Sequence, residues 1–294
     1  MRFPLKERGM RNTLSADDLF SEVLLLRTAD NRAIVLAEGP SDVRALAPHV
    51  DWESAQLIPT QGAINLDGTI KLVNEKQVPG VVGIRDRDWL GAIGPLPDTP
   101  NIVYTDLHDL DATIFIGTPA GERIILTHGD PGAVRSHCKL TNSASGIDIV
   151  TAIAADLGAL RRTSERHGLG LSLKNFPIHE VLDADGLVII QRMISIALKR
   201  SSVGILRESQ VAALFTAERL SGRAEDLCCG HDIGAIVSTL CASIWQGSKS
   251  KAESILQAAR AALSCAELQT LNLYIQLHNW EMRTNFNVWR CQAA

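Results

Sequence analysis

The stretch Ala33-Ile34-Val35-Leu36-Ala37-Glu38-Gly39-Pro40-Ser41-Asp42 decides how this chain folds. Five consecutive apolar residues read as a buried strand, and Gly-Pro-Ser directly after Glu38 breaks strand pairing and opens a helix at Ser41. Glu38 therefore stands at the carboxyl end of a strand, and Asp42 one turn into the next helix. In open α/β sheets that edge forms the ligand crevice. A second apolar run, 80–85, ends in Asp86-Arg87-Asp88. Residues two apart on a strand face the same way, so Asp86 and Asp88 are expected to converge while Arg85 and Arg87 point elsewhere. Four carboxylates near one point raise each other's pKa unless divalent cations neutralise them, and hard oxygen ligands select Mg²⁺ or Mn²⁺. The competing reading is a set of turn formers and caps paired at the surface with Arg44, Arg85 or Arg87. Two acidic clusters at equivalent strand ends favour a metal site.

Working outward, strands are expected at 33–37, 56–59, 80–84 and 101–105, with helices at 41–50, 66–76 and 108–115. This alternation predicts an α/β fold with a mainly parallel sheet flanked by helices, in a first domain over 1–120. Gly62 either permits the turn into the helix after the second strand or is an ordinary loop glycine. Beyond about residue 121 the period becomes helical, with amphipathic stretches at 147–161, 188–199, 208–220, 233–244 and 249–264. The expectation is a mainly helical C-terminal domain over 121–294, with connections at 118–146 and at Gly168-Leu169-Gly170.

Hydrophobic residues make up 46% of the 294 and aromatic residues only 4%, which suits cores built from Leu, Ile, Val and Ala. Arg2, Lys6, Glu7, Arg8 and Arg11 precede no apolar run that would serve as a signal peptide, and no later segment approaches a charge-free spanning length. A cytoplasmic protein without membrane contact is expected. The six cysteines show no CxxC spacing and read as reduced thiols; Cys228, Cys229 and His231 are a poor zinc set because adjacent cysteines rarely chelate one tetrahedral ion.

The net charge of −4 is unevenly spread. Residues 38–111 carry 12 acidic and 5 basic side chains, whereas 159–207 carry 8 basic and 4 acidic. An acidic pocket repels phosphates unless loaded with metal, so a nucleic-acid substrate would need a separate basic surface. Arg161, Arg162, Arg166, Lys174, Lys199 and Arg200 are the candidates, each weighed against a solvated helix face. Lys174 stands out, since it sits beside Asn175, Phe176 and Pro177 in an otherwise uncharged stretch.

Glu38-Gly39-x-x-Asp42 on one strand end and Asp86-x-Asp88 on a later one resemble the Toprim domain of topoisomerases, primases and OLD-type nucleases, over residues 14–111. Within that superfamily the chain is most similar to the Toprim effector nucleases of bacterial anti-phage systems of the PARIS type. Three features carry this narrower resemblance: Ser15 as helix cap with Asp18 as capping-box partner, the acidic run Asp106-Leu107-His108-Asp109-Leu110-Asp111, and Gly230-His231-Asp232 opening a helix. Glutamate is more usual in that family where Asp111 stands.

The resemblance implies Mg²⁺- or Mn²⁺-dependent phosphodiester hydrolysis. Asp86 and Asp88 would be principal ligands, Glu38 a ligand or general base, Asp42 and Asp111 weaker ligand candidates, and His108 a minor candidate base. It further implies a toxic effector held silent by an ABC-type ATPase partner, active as a homodimer, and cutting host tRNA rather than DNA. A topoisomerase is disfavoured because only Tyr104 and Tyr274 are present as nucleophiles. The second reading is a non-catalytic docking module of an ATPase complex.

Overall fold

The computed structural model describes residues 15–91, 95–201 and 207–291. The basic residues Arg2, Lys6, Arg8 and Arg11, and Leu14 at the edge of the Toprim-like stretch, lie outside them. The chain opens with α1 (Ala16–Ala29), whose capping box forms as the sequence predicts: Ser15 Oγ accepts from Asp18 N–H and Asp18 Oδ2 accepts from Ser15 N–H. Then follow β1 (Ala33–Ala37), α2 (Pro40–Leu46) with a 3₁₀ turn (Ala47–His49), β2 (Ala55–Pro59), α3 (Ala63–Glu75), β3 (Val81–Arg85), β4 (Ile102–Tyr104) and α4 (Leu110–Gly117). Gly62 enters α3 at φ 120°, a conformation that side chains avoid, so the glycine is there for the turn.

All pairings in the sheet are parallel, in the order β2-β1-β3-β4. The chain leaves β1 in one direction for β2, then crosses back to place β3 on the other side of β1. The switch point between β1 and β3 is where such sheets open a crevice at their carboxyl edge. Every residue of β1 is buried, as expected of a strand covered on both faces. On one face Ile34, Leu36 and Val81 pack with Val23 of α1 and Leu66, Ile70 and Val73 of α3. On the other face Val35, Val82 and Ile84 join a core that continues without a break through α2, α4 and the helical half to Trp280, Val288 and Trp289.

The second half is helical as anticipated, with α5 (Ala120–His128), α6 (Pro131–Thr141), α7 (Gly146–Arg166), α8 (Ile178–Val181), α9 (Ile190–Arg200), α10 (Glu208–Leu220), α11 (Gly230–Ser243), α12 (Ala252–Ala262), α13 (Cys265–Leu268) and α14 (Asn272–Thr284). One expectation fails: 118–146 is two helices rather than a connection. Its small and polar residues are punctuation, with Asp130 capping α6 through Ala133 N–H, Pro131 in the first turn, and Asn142 ending the helix at φ 53°. The glycines after α7 do form a connection, Gly168 and Gly170 both having positive φ. No single helix among the described residues is long and apolar enough to cross a membrane.

The chain end returns to the sheet layer. Asp51 N–H donates to Val288 O, Arg290 N–H to His49 O, and Val288 and Trp289 N–H both donate to Glu281 Oε1. Phe286 lies over Gly80, which has φ 70° and no room for a Cβ against that ring. Gly80→Ala is therefore expected to cost about 1–3 kcal/mol through strain and displacement of Phe286, read as a lowered thermal midpoint. The structure also corrects the uniform reduced state of the thiols, because Cys265 and Cys291 are joined as a disulfide. Cys138, Cys228, Cys229 and Cys241 are free.

Candidate metal centre and groove

Glu38 and Asp86 follow directly on β1 and β3, so the switch point brings their carboxylates to one place. With Asp42, Asp88, Asp109 and Asp111 they line a cavity of ≈ 460 Å³. Glu38 Oε1 accepts from Asp86 N–H at 2.9 Å, which ties the two strand ends together. Asp86 Oδ1 accepts from Leu110 N–H at 3.1 Å, and Asp42 Oδ2 from Gly39 N–H at 2.7 Å. Asp88 takes φ 47°, and its N–H donates to His108 O at 2.7 Å. Burial, reinforced by the Asp109, Asp42, Glu38 and Asp88 carboxylates, pushes Asp86 up to about 9. Burial also raises Glu38, against the pull of Arg85, and Asp42, against its Gly39 hydrogen bond.

Arg85 does not point away as the strand alternation implied. The strand ends at Arg85, so the period-two argument stops there, and its Nη1 reaches Glu38 Oε1 at 2.6 Å and Asp88 Oδ2 at 3.0 Å. Arg87 does turn aside, to Asp226 at 2.6 Å. The carboxylates share one cavity, yet they are not drawn into one ligand shell. Among the described residues, the groups whose ligand atoms come within 4.8 Å of one another are His108-Asp109-Cys229 and His49-Cys265-Cys291. Repulsion spreads the acids, and the resident Arg85 spans Glu38 and Asp88. The donor set still suits a hard divalent cation: it offers carboxylate oxygens on firmly placed backbone, and Asp86 holds its proton when no cation stands beside it.

The acidic run 106–111 is mostly structural. Asp106 accepts Asn272 and Leu273 N–H at the start of α14. Asp109 caps α4 through Ala112 N–H and also takes Gly230 N–H at the start of α11. Burial pushes Asp109 up, but His108 and these N–H donors outweigh it and hold it below the usual range. His108 is correspondingly raised, since Asp109, Asp88 and Asp232 overcome the burial that would lower it. Asp111, the weakest ligand candidate, is held bidentate by Arg260 with both contacts at 2.6 Å. Trp89 fixes the His108 ring edge-on at 4.4 Å and donates Nε1–H to Glu165. Asp109 entered the sequence reading only as part of the acidic run 106–111, and Cys229 only in the rejected zinc set, while Arg260 and Glu165 carried no local signal. Cys228, Cys229 and His231 do not gather as a zinc set.

A second cavity, ≈ 850 Å³, opens beside the first and shares Asp88, His108 and Cys229 with it; Trp89, Arg161 and Lys174 also line it. Of the expected basic surface, three arginines are spoken for. Arg161 is bidentate to Asp232, Arg162 is buried against Glu218, and Arg166 is paired with the same Glu218. Arg200 donates to the carbonyls of Lys174 and Asn175 and lies over Phe176, so it braces that loop. Lys199 is exposed on α9. Lys174 alone of the six is both exposed and lining the groove. Compared with known proteins, the chain matches no family model and no curated sequence.

Proposed function

We propose that this chain is a metal-dependent nuclease of the Toprim type. The observation that carries the reading is the convergence of Glu38, Asp42, Asp86 and Asp88 at the β1/β3 switch point, opening into a groove with Lys174 on its wall. Glu38, Asp86 and Asp88, with Asp42 beside them, would hold the Mg²⁺ or Mn²⁺. Bound there, such an ion lowers the pKa of a water and neutralises charge on the scissile phosphate. Glu38 takes both of its hydrogen bonds at Oε1, which leaves the second oxygen for a ligand or for a proton. Asp86 is held at the rim of α4 by the Leu110 N–H, and Arg85 keeps Glu38 and Asp88 in register. Trp89 and Asp109 hold the His108 ring at the junction of the two cavities. Lys174 places a phosphate of the backbone in the groove.

The resemblance to anti-phage effectors adds host tRNA as substrate, with DNA the alternative, an ABC-type ATPase that silences the chain, and a homodimer as the active form. Purified protein is tested on tRNA and on DNA with Mg²⁺, Mn²⁺ or a chelator, and in cells with and without a neighbouring ATPase. Metal-dependent cleavage of tRNA, lost in Glu38→Ala and in chelator, is the expected result. Cleavage that survives Glu38→Ala overturns the reading. Lys174→Ala is expected to weaken binding of any nucleic acid and to lower the salt slope by about 1, with an unchanged melting curve.

A second reading, a docking module without chemistry, draws on Arg85, because a built-in guanidinium already satisfies two of the four carboxylates. It predicts no stoichiometric Mg²⁺ or Mn²⁺ binding by calorimetry in wild type and recovery of such binding in Arg85→Ala.

A further inference from the structure

On the far side of α2 from its acidic end, His49 closes the 3₁₀ turn Ala47–His49 and points its Nδ1 at two sulfurs. It lies 3.5 Å from Cys291 Sγ and 3.9 Å from Cys265 Sγ. A tetrahedral ion bound at about 2.3 Å from sulfur and about 2.05 Å from imidazole nitrogen sets its N and S ligands about 3.6 Å apart. The imidazole therefore already stands at ligand spacing from both sulfurs. Only the sulfurs must part, to about 3.8 Å, and that is a matter of side-chain rotation at a Cα–Cα distance of 5.4 Å.

We propose that Cys265, Cys291 and His49 form a thiophilic metal site, selective for Zn²⁺, which the disulfide closes and reduction opens. The ligand types match a borderline-soft ion and suit Mg²⁺ poorly, so this site is chemically separate from the carboxylate cavity. His49 is only 4% exposed, so its ring is shielded from bulk solvent beside the two sulfurs. Its place is fixed by the backbone, since Arg290 N–H donates to His49 O and Val50 bridges to Trp289. Cys291 is held through its carbonyl, which accepts from Tyr274 Oη at 2.6 Å and from Gln269. Cys265 is exposed, which gives a reductant and an ion a way in. Three protein ligands leave the fourth position to water.

The redox step balances simply. A dithiol reductant gives two electrons and two protons to the Cys265–Cys291 bond, which breaks to two thiols while the reductant closes its own disulfide. Zinc binding then releases the two thiol protons to solvent. Because the cystine joins α13 to the segment that pins the chain end to the 3₁₀ turn, metal and disulfide are alternative clasps on one strap.

The test uses the full chain and no mutation at first. Protein is reduced with a non-chelating phosphine, which becomes the phosphine oxide with water supplying the oxygen, loaded with Zn²⁺ and passed over a desalting column. One zinc per chain is expected in the reduced protein and none in the oxidised one. Co²⁺ in place of Zn²⁺ is expected to show a thiolate charge-transfer band that vanishes on oxidation. Cys265→Ser removes one of the two sulfur ligands at an exposed position and leaves Cys229 in place as a control thiol, so it should abolish both signals; His49→Ala should abolish stoichiometric zinc. A Co²⁺ thiolate band of full intensity in Cys265→Ser places the ion on another cysteine and overturns the proposal, as does equal zinc in reduced and oxidised wild type. Nuclease activity enters none of these readouts, so the two proposals fail separately.

Discussion

Asp86→Asn is expected to leave the metal-free protein as stable as wild type or more so, while cutting metal-dependent phosphodiester cleavage by about three orders of magnitude or more, within the range for loss of a group that stabilises transition-state charge. The substitution keeps shape and an acceptor for the Leu110 N–H, and removes only the capacity to ionise. The sign of the pH effect follows from the folded value of about 9 against 3.8 for the unfolded group. A raised folded pKa gives stability that is fully present below the unfolded pKa. It is lost as pH rises from there through about 9, because the folded state must keep the proton that the unfolded chain releases. At pH 7 the loss from this one group is of order 4 kcal/mol. In a chelating buffer, the wild-type thermal midpoint should therefore fall below that of Asp86→Asn between about pH 5 and 9, and Mg²⁺ or Mn²⁺ should raise wild type only. Parallel pH profiles for the two proteins would show that Asp86 does not carry this strain.

Arg162→Ala is expected to destabilise the protein by about 3 kcal/mol, or roughly 5–10 °C in thermal midpoint, with no selective effect on nucleic-acid binding. Its side chain is 3% exposed and its Nε stands 2.8 Å from Glu218 Oε2, a carboxylate only 4% exposed. Removing the arginine leaves that carboxylate buried with Arg166, itself half-exposed, as its remaining ion-pair partner, which places the loss at the lower end for a broken buried pair. Arg166→Ala, on the wet side, should cost below about 1 kcal/mol. A large loss of affinity in Arg162→Ala at unchanged stability would return this residue to the nucleic-acid surface.

The carboxylates at 38, 42, 86 and 88 were readable because each follows a local break: an apolar run that stops, then Gly-Pro-Ser or an alternating charged triplet. The helices α5 and α6 were not, because their caps, Pro119, Asp130 and Asn142, look in sequence like a loop. The arginines 161, 162 and 166 read as one basic patch, since helical spacing says which face a residue shares and nothing of what lies opposite. Their partners, Asp232 and Glu218, come from 71 and 52 residues or more away.

Hydrophobic period and turn chemistry act over a few residues, and they were enough to set the parallel α/β layer, the helical half and the strand-end carboxylates. Whether a charge is free to bind a ligand depends on what distant segments bring to it. Packing turned Arg85 inward and committed Asp106, Asp109 and Asp111 to helix starts and Arg260. It also joined Cys265 to Cys291 beside His49, leaving Lys174 as the exposed cation on the groove. Buried charges must be paired wherever the partner lies along the chain, and that pairing is a property of the closed fold.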